Sequence, residues 1–387
     1  MPVMAHPVPK AADEDNCIDD ISSCKWGAVA REQQEGAWYE AGNPSDSGED
    51  EDDEGSPPMA MSKLSSGLRR QPTLPPDGFS TRVMKEEEIE KVATLCMEAF
   101  DAQNELTNLI PEFPDGPPVT FYQHCHANPN ILTVVALDPC GEIIGCNTIT
   151  LQDQVAGIGP VAVHPSHWNR KLGRFVMDGV LEYAERKGFK CVMLQQVTSN
   201  PKSYALYARM GFLPVDSCLS MEGLVYDLIP PMEGFSFRRL ALTDVPSCSS
   251  LYSSLFPGFS RENEIRDAIA LQVNDEKKGT IFCICDEEGE IAAYTTGLDL
   301  HGFVISKDRE AYKALLIASS IYVREHDPMS EGICFHLLGN VYPDLLDWMF
   351  NEARLKIMEM TTLMAKGGPV PRVPLGAEMV YSPSVTY

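Results

Sequence analysis

From residue 79 onward the hydrophobic positions change period several times, and each change predicts an element. Residues 80–84 alternate as a short strand. Apolar positions Ile89, Val92, Ala93, Cys96 and Phe100 then recur at three- and four-residue spacing and predict a helix. Residues 101–120 contain Pro111, Pro114, Pro117 and Pro118 and read as a loop. Two strands, 131–137 and 142–151, flank a turn at 138–141, and 156–164 is a third. Residues 172–187 place Val176, Val180 and Ala184 on one helical face. The near-continuous apolar run 190–197 suits a strand buried on both sides, and a short helix at 203–209 stops at Gly211.

The same order returns. Residues 237–240 read as a strand, and Val245, Cys248, Tyr252, Leu255 and Phe256 share a helical face. Strands 281–285 and 291–296 flank Glu288 and Gly289, followed by a helix at 311–323, a strand at 332–338 and a helix at 342–354. The pattern predicts a tandem repeat of one α+β domain with a mixed α/β sheet, 79–229 and 236–387, joined near Pro230 and Pro231.

Composition bounds what these halves do. The chain has 387 residues, 44% hydrophobic and 22% charged, enough to build packed cores. Its net charge of −25 argues against non-specific nucleic-acid binding, and no apolar run reaches the ~18–20 residues of a membrane helix. Residues 1–78 are acidic and rich in Pro and Ser, which predicts a disordered tail; Ser47, with Asp50 three residues on, suits an acidophilic kinase. The twelve cysteines contain no C-x-x-C and read as reduced core residues. His124, Cys125 and His126 lack a second ligand pair, so no metal is expected. With no recognisable leader or terminal address, the expectation is a soluble, cytoplasmic protein.

Candidate chemistry concentrates in two stretches. Residues 157–163 run as a strand into the polar loop of Trp168, Asn169, Arg170, Lys171 and Leu172, and Gly173 and Arg174 open a helix. A helix start offers unpaired N–H groups and a positive dipole end, and three cations collect there in an acidic chain. Pro160 removes a ladder donor, which fits a strand peeling from its neighbour to admit a ligand. An ordinary basic surface turn is the other reading. About 25 residues later, Asn200, Ser203, Leu206, Tyr207, Arg209, Gly211 and Phe212 follow the apolar strand.

The pair of stretches resembles the GNAT superfamily of N-acetyltransferases, whose pattern is a Q/R-x-x-G-x-G/A loop followed by N-x-x-S/A-x-x-L-Y-x-K/R-x-G-F. The second motif matches at all seven residues just named. In the first, Trp168 stands at the Q/R position, Lys171 at the first glycine, and Gly173 is retained. The resemblance covers roughly residues 79–225. It implies splayed central parallel strands, acetyl-CoA as cosubstrate and an amine acceptor. It also implies backbone contacts from Val161, Ala162 and Val163 to the pantetheine arm, pyrophosphate held at 168–174, cofactor contacts from Asn200 and Ser203, and Tyr207 as proton donor to the leaving thiolate. Asp153 and His164 are candidate proton acceptors, each also readable as a turn or loop residue.

The second half looks like a degenerate copy of such a domain. Residues 301–310 lack a glycine at the helix start, and the residue seven beyond Asn340 is Asp347 rather than tyrosine. That half either shapes the substrate cleft or only stabilises the first. Two functional readings stay open: an acetyl-CoA-dependent N-acetyltransferase, or a catalytically silent module that binds CoA or a protein.

Overall fold

The structure, a computed structural model, describes residues 78–274, 281–330 and 332–385. The acidic tail and Ser47 lie outside the described residues. The first half runs β1 (Ser80–Val83), α1 (Ile89–Leu106), α2 (Val119–Ala127), β2 (Ile131–Leu137), β3 (Ile143–Thr150), β4 (Val155–Val163), α3 (Leu172–Arg186), β5 (Cys191–Val197), α4 (Pro201–Arg209) and β6 (Leu213–Gly223). The second half repeats this order. It comprises β7 (Ser236–Arg239), α5 (Val245–Leu255), α6 (Glu262–Asn274), β8 (Phe282–Cys285), β9 (Ile291–Thr295), β10 (Val304–Ser306), α7 (Arg309–His326), β11 (Ile333–Leu338), α8 (Pro343–Asn351), β12 (Lys356–Gly367) and, in addition, β13 (Val380–Ser382). No described helix is long and apolar enough to cross a membrane.

Period-two alternation sorts the first half's sheet into two faces. Val135, Cys146 and Ala162 pack with α1 residues Val92, Ala93 and Cys96. On the opposite side, Val134 and Ile158 pack with Met177 and Val180 of α3, and Ile144, at an irregularity in the pairing of β3 with β2 that breaks the alternation, packs with Leu172 and Val176. Burial of these side chains is what fixes α1 and α3 on opposite faces of one sheet.

The two halves exchange strands. The larger sheet has the order β1-β2-β3-β4-β5-β12-β6-β11, so β12 of the second half lies between β5 and β6 of the first, and β6 lies between β12 and β11. Both new neighbours are antiparallel: Thr361 faces Val197 on β5 and Cys218 on β6, and Ile333 faces Gly223. Apolar burial follows the exchange. Leu219 and Met221 of β6 join Phe335 and Leu337 of β11 in a core that continues through the second half. The remaining strands form a five-stranded sheet, β13-β10-β9-β8-β7.

Several expectations are corrected. The span 101–120 is not all loop, because α1 continues to Leu106 and α2 begins at Val119 behind Pro118 at its N-cap. Proline is tolerated at a helix start because the N–H it lacks has no partner there, so the prolines mark a boundary and not a missing helix. The sequence pattern assigns no residues to the strands β6, β10, β12 and β13 or to the helix α6, which the structure adds. Of the ten described cysteines, Cys140 is exposed, Cys334 half-buried and the other eight buried.

Candidate active site

The site is a wedge between β4 and β5. These strands pair in parallel at only three positions, Val155 with Cys191, Ala156 with Val192 and Gly157 with Met193. The cause lies on the other edge of β4. There Asn147 faces Val161 while Ile149 faces Ile158, so Gly159 and Pro160 both stand opposite Thr148 in a bulge. Gly159 has φ of 147°, a backbone conformation that glycine adopts without a Cβ clash. A bulge bends its strand, and Pro160 offers no N–H toward a neighbour. Beyond it, the His164 N–H donates to Ile144 O across β3. By alternation the N–H groups of Val161 and Val163 then face the open wedge. The Val163 carbonyl there accepts a 2.6 Å hydrogen bond from Trp168 Nε1, so Trp168 braces the loop against the strand.

The loop that floors the wedge holds two non-glycine residues in the left-handed region, Asn169 and Lys171, both with φ of 63°. Lys171 is the N-cap of α3 and supplies no side-chain cap. The first N–H groups of the helix therefore have no side-chain acceptor, and the positive dipole end points outward. Arg174 lies in the same turn, with Nε 3.7 Å from Asp178. The buried Nδ1 of His167 has no hydrogen-bond partner among the described residues. A Cβ on Gly173 would stand 3.2 Å from Leu206 Cδ2, so glycine here lets α3 start close against α4.

The opposite wall is α4. Asn200 Oδ1 caps it by accepting the Ser203 N–H at 3.1 Å, and Ser203 Oγ donates to Asn200 O. Gln196 Nε2 donates to Asn200 O and Ser203 Oγ, tying the cap to β5. Asn200 and Ser203 thus hold the start of α4 as well as facing the wedge. Tyr207 is buried against Phe212, ring centroids 6.1 Å apart. Burial pushes its phenol up to about 12, so the proton stays on at neutral pH.

These elements enclose a cavity of about 550 Å³. It is lined by Val161, Ala162, Val163, Trp168, Asn169, Lys171, Leu172, Gly173, Arg174, Asn200, Ser203 and Tyr207; Arg170 does not line it. α1 contributes apolar Ala99 and Phe100 beside polar Gln103 and Asn104, and Lys202 and Arg209 add cations from α4. Two carboxylates that sequence reasoning did not single out also line it, Glu112 before α2 and Glu359 on β12. Burial, with Glu112 adding repulsion, pushes Glu359 up to about 7. Nothing local marks it in the sequence; it stands in this wall because β12 crosses into the larger sheet.

The two acids and bases proposed from sequence lie elsewhere. Asp153 accepts the N–H groups of Asn263 and Glu264, both at 3.2 Å, and so holds the start of α6. His164 hydrogen-bonds Ser166 Oγ at 2.7 Å and faces Glu98 at 3.4 Å. Neither lines the cavity. Among the described residues no group of three or more His, Cys, Asp or Glu is arranged to hold a metal. His124 instead faces Asp267 at 3.5 Å.

In the second half the equivalent wedge is filled. β13 pairs antiparallel with β10, Val304 facing Ser382 and Ser306 facing Val380. Its continuation reaches β11 through His336 Nδ1 and Pro383 O, 3.0 Å apart, while Tyr312 and Ser382 share a hydrogen bond of 2.7 Å.

Comparison with known proteins agrees with this geometry. Residues 93–212 match the model of the acetyltransferase (GNAT) family. A putative acetyltransferase from Pyrococcus horikoshii is 14% identical, with TM-score 0.58, over 80% of this chain and 96% of that one. A GCN5-related N-acetyltransferase from Sphaerobacter thermophilus is 14% identical, with TM-score 0.52, over 77% and 99%. A tandem GNAT protein from the clavulanic acid biosynthesis pathway is 15% identical, with TM-score 0.50, over 76% and 99%. At these identities the likeness is one of fold, and it extends across both halves. No curated protein sequence matches the chain.

Proposed function

Because residues 93–212 form a domain of the acetyltransferase (GNAT) family, we propose that this chain transfers an acetyl group from acetyl-CoA to an amine, in the wedge between β4 and β5. The observation that carries the reading is the convergence on one cavity of an open strand edge, an uncapped helix start and a buried tyrosine. Residues 79–229 form the acetyl-CoA-binding domain in this reading, and 236–387 a degenerate copy without a second site.

The residues present fit acetyl-CoA. The N–H groups of Val161 and Val163 are hydrogen-bonding groups left without a strand partner, which an extended pantetheine arm would satisfy like an added strand. Trp168, Asn169, Lys171, Leu172 and Gly173 lead into the uncapped start of α3, where backbone N–H groups, Lys171 and Arg174 suit a pyrophosphate. The buried, unpartnered Nδ1 of His167 in the same wall favours a polar ligand there.

Acetyl-CoA when bound supplies a thioester carbonyl for direct attack by the amine. Tyr207, held protonated, donates a hydrogen bond toward sulfur as negative charge develops there, and the same burial that raises the phenol disfavours a free thiolate.

A second reading, CoA binding without turnover, is favoured by Lys171 holding a left-handed conformation where the family pattern has glycine. The two separate in one experiment. Calorimetry of the full chain with CoA should give one site. Free-thiol release from acetyl-CoA should follow with at least one of n-butylamine, tyramine, spermidine or Nα-acetyl-lysine. Binding with no thiol release above hydrolysis favours the silent module, and no binding refutes both.

A further inference from the structure

The second half places one ionisable group in the wedge. Glu359 sits on β12 where that strand passes the C-terminal end of β5: the Thr198 N–H donates to Met360 O at 2.9 Å, and Thr361 faces Val197. In open α/β sheets ligands gather beyond the carboxyl ends of the strands, and this is such an end. A register shift between Ile357 and Glu359 in the pairing with β6 sets which side chain faces the cavity. Glu359 lines the same cavity as Tyr207, Val161 and Phe100, and no described residue hydrogen-bonds or ion-pairs with it.

We propose that Glu359 is the base that removes a proton from the acceptor amine, so that the catalytic site is assembled from both halves of the chain. The inference rests on the acetyltransferase reading above. A primary amine with a pKa near ~10 arrives mostly as ammonium and cannot attack until it loses a proton. The ammonium passes that proton to the Glu359 carboxylate, which releases it to water. Nitrogen then forms its bond to the acetyl carbon as the carbon–sulfur bond breaks. Sulfur takes a proton from Tyr207, and the tyrosine oxygen regains one from the acylated nitrogen. One ammonium and one thioester thus give one amide, one thiol and one released proton.

Burial holds Glu359 near neutrality, with its value pushed up to about 7. That matches a base working at physiological pH, since proton transfer is most effective when the base's pKa lies near the ambient pH. The other ionisable groups facing this cavity are Glu112 from the segment before α2, His167 and Lys171 from the loop, Arg174 from α3, and Lys202 and Arg209 from α4. Glu112 raises Glu359. An ammonium beside the carboxylate lowers it, which favours the basic form when substrate is bound.

The test is the pH profile of kcat/KM for the full chain, with the fastest acceptor from the amine panel. Wild type should rise through a limb near pH 7 to a plateau. Glu359→Gln should lose this limb and fall by roughly 10²–10⁴-fold on the plateau, with unchanged CoA affinity by calorimetry. Glu359→Asp should keep the limb at reduced rate, which guards against a misfolded Gln variant being misread. If Glu359→Gln keeps both limb and rate while wild type turns over, this inference falls and the acetyltransferase reading stands. If wild type releases no thiol with any acceptor, both fall.

Discussion

The two halves share an element order and differ in what lies between their fourth and fifth strands. In the first, β4 and β5 separate after Gly157 and leave a cavity; in the second, β13 occupies the gap beside β10. The helix starts differ in the same sense. α3 begins at Lys171 with no side-chain cap, whereas α7 is capped by Asp308, whose carboxylate accepts the Ala311 N–H at 2.8 Å, and Glu310 adds a second negative charge. A carboxylate already on those N–H groups satisfies the donors and repels a phosphate. One fold thus carries an open cavity or none according to whether its wedge and its helix start are left open or filled by the chain itself. The filled half is not inert, for it contributes β12 and β11 to the larger sheet.

The strongest way to break the comparison is to empty the second wedge. Deleting residues 379–387 removes Val380, Tyr381, Ser382 and Ser384, all buried, and strips β10 of a neighbour. Tyr381 Oη is also a partner of the buried Arg261 Nη1 at 2.7 Å. Loss of several buried side chains at roughly 2–5 kcal/mol each should lower Tm by more than ~10 °C or abolish cooperative unfolding. No second CoA site should appear by calorimetry, because Asp308 still caps α7. A truncated chain that keeps its Tm, or binds two CoA, would show that β13 is not what closes this half.

Two tyrosines on corresponding walls sharpen the contrast. Tyr207→Phe removes a hydroxyl with no described hydrogen-bond partner, so Tm and CoA affinity should hardly move while kcat falls by roughly 10²–10⁴-fold. Tyr342 lies at the start of α8, and its hydroxyl donates to Met379 O at 3.1 Å and accepts the Tyr381 N–H at 2.9 Å. Tyr342→Phe leaves the buried Tyr381 N–H and the half-buried Met379 carbonyl short of a partner, costing about 1–3 kcal/mol, read as a Tm lower by several degrees with kcat unchanged. If the Tyr207 variant loses stability instead, its role is structural.

The contrast was partly legible from sequence. Periodicity located β2 to β5, α3 and α4, and the spacing from Asn200 to Gly211 located the wall that carries Tyr207, because these are local patterns. Strand exchange is not local. β12 reads Lys356, Ile357, Met358, Glu359 and Met360, with no strict alternation, and its neighbours β5 and β6 lie more than 130 residues earlier. Glu359 is therefore remote from Tyr207 along the chain and adjacent to it only through the sheet. Asp153 and His164 lie near the motif in sequence and are readable either as proton acceptors or as turn and loop residues; the second reading holds, since one caps α6 and the other braces a turn. β13 is not legible in the sequence because three residues carry no period, and its place is dictated by the gap it fills.

The smallest expected effect concerns Lys171, where the loop departs from the family pattern. Its φ of 63° is available to glycine without a Cβ clash and costs other residues roughly 1–2 kcal/mol. Replacing it by glycine relieves that strain but adds about 0.5–1 kcal/mol of backbone entropy to the unfolded chain. The balance is a stabilisation of at most about 1.5 kcal/mol, a Tm rise of a few degrees or less. The lost ammonium should act the other way on the ligand. Lys171 lines the cavity, so the glycine variant should bind CoA less tightly by about tenfold or less, and the difference should shrink as salt is raised. Calorimetry at low and high salt reads this directly. Tighter binding to Lys171→Gly at both salts would show that the side chain obstructs the phosphates, and the silent-module reading would gain the advantage.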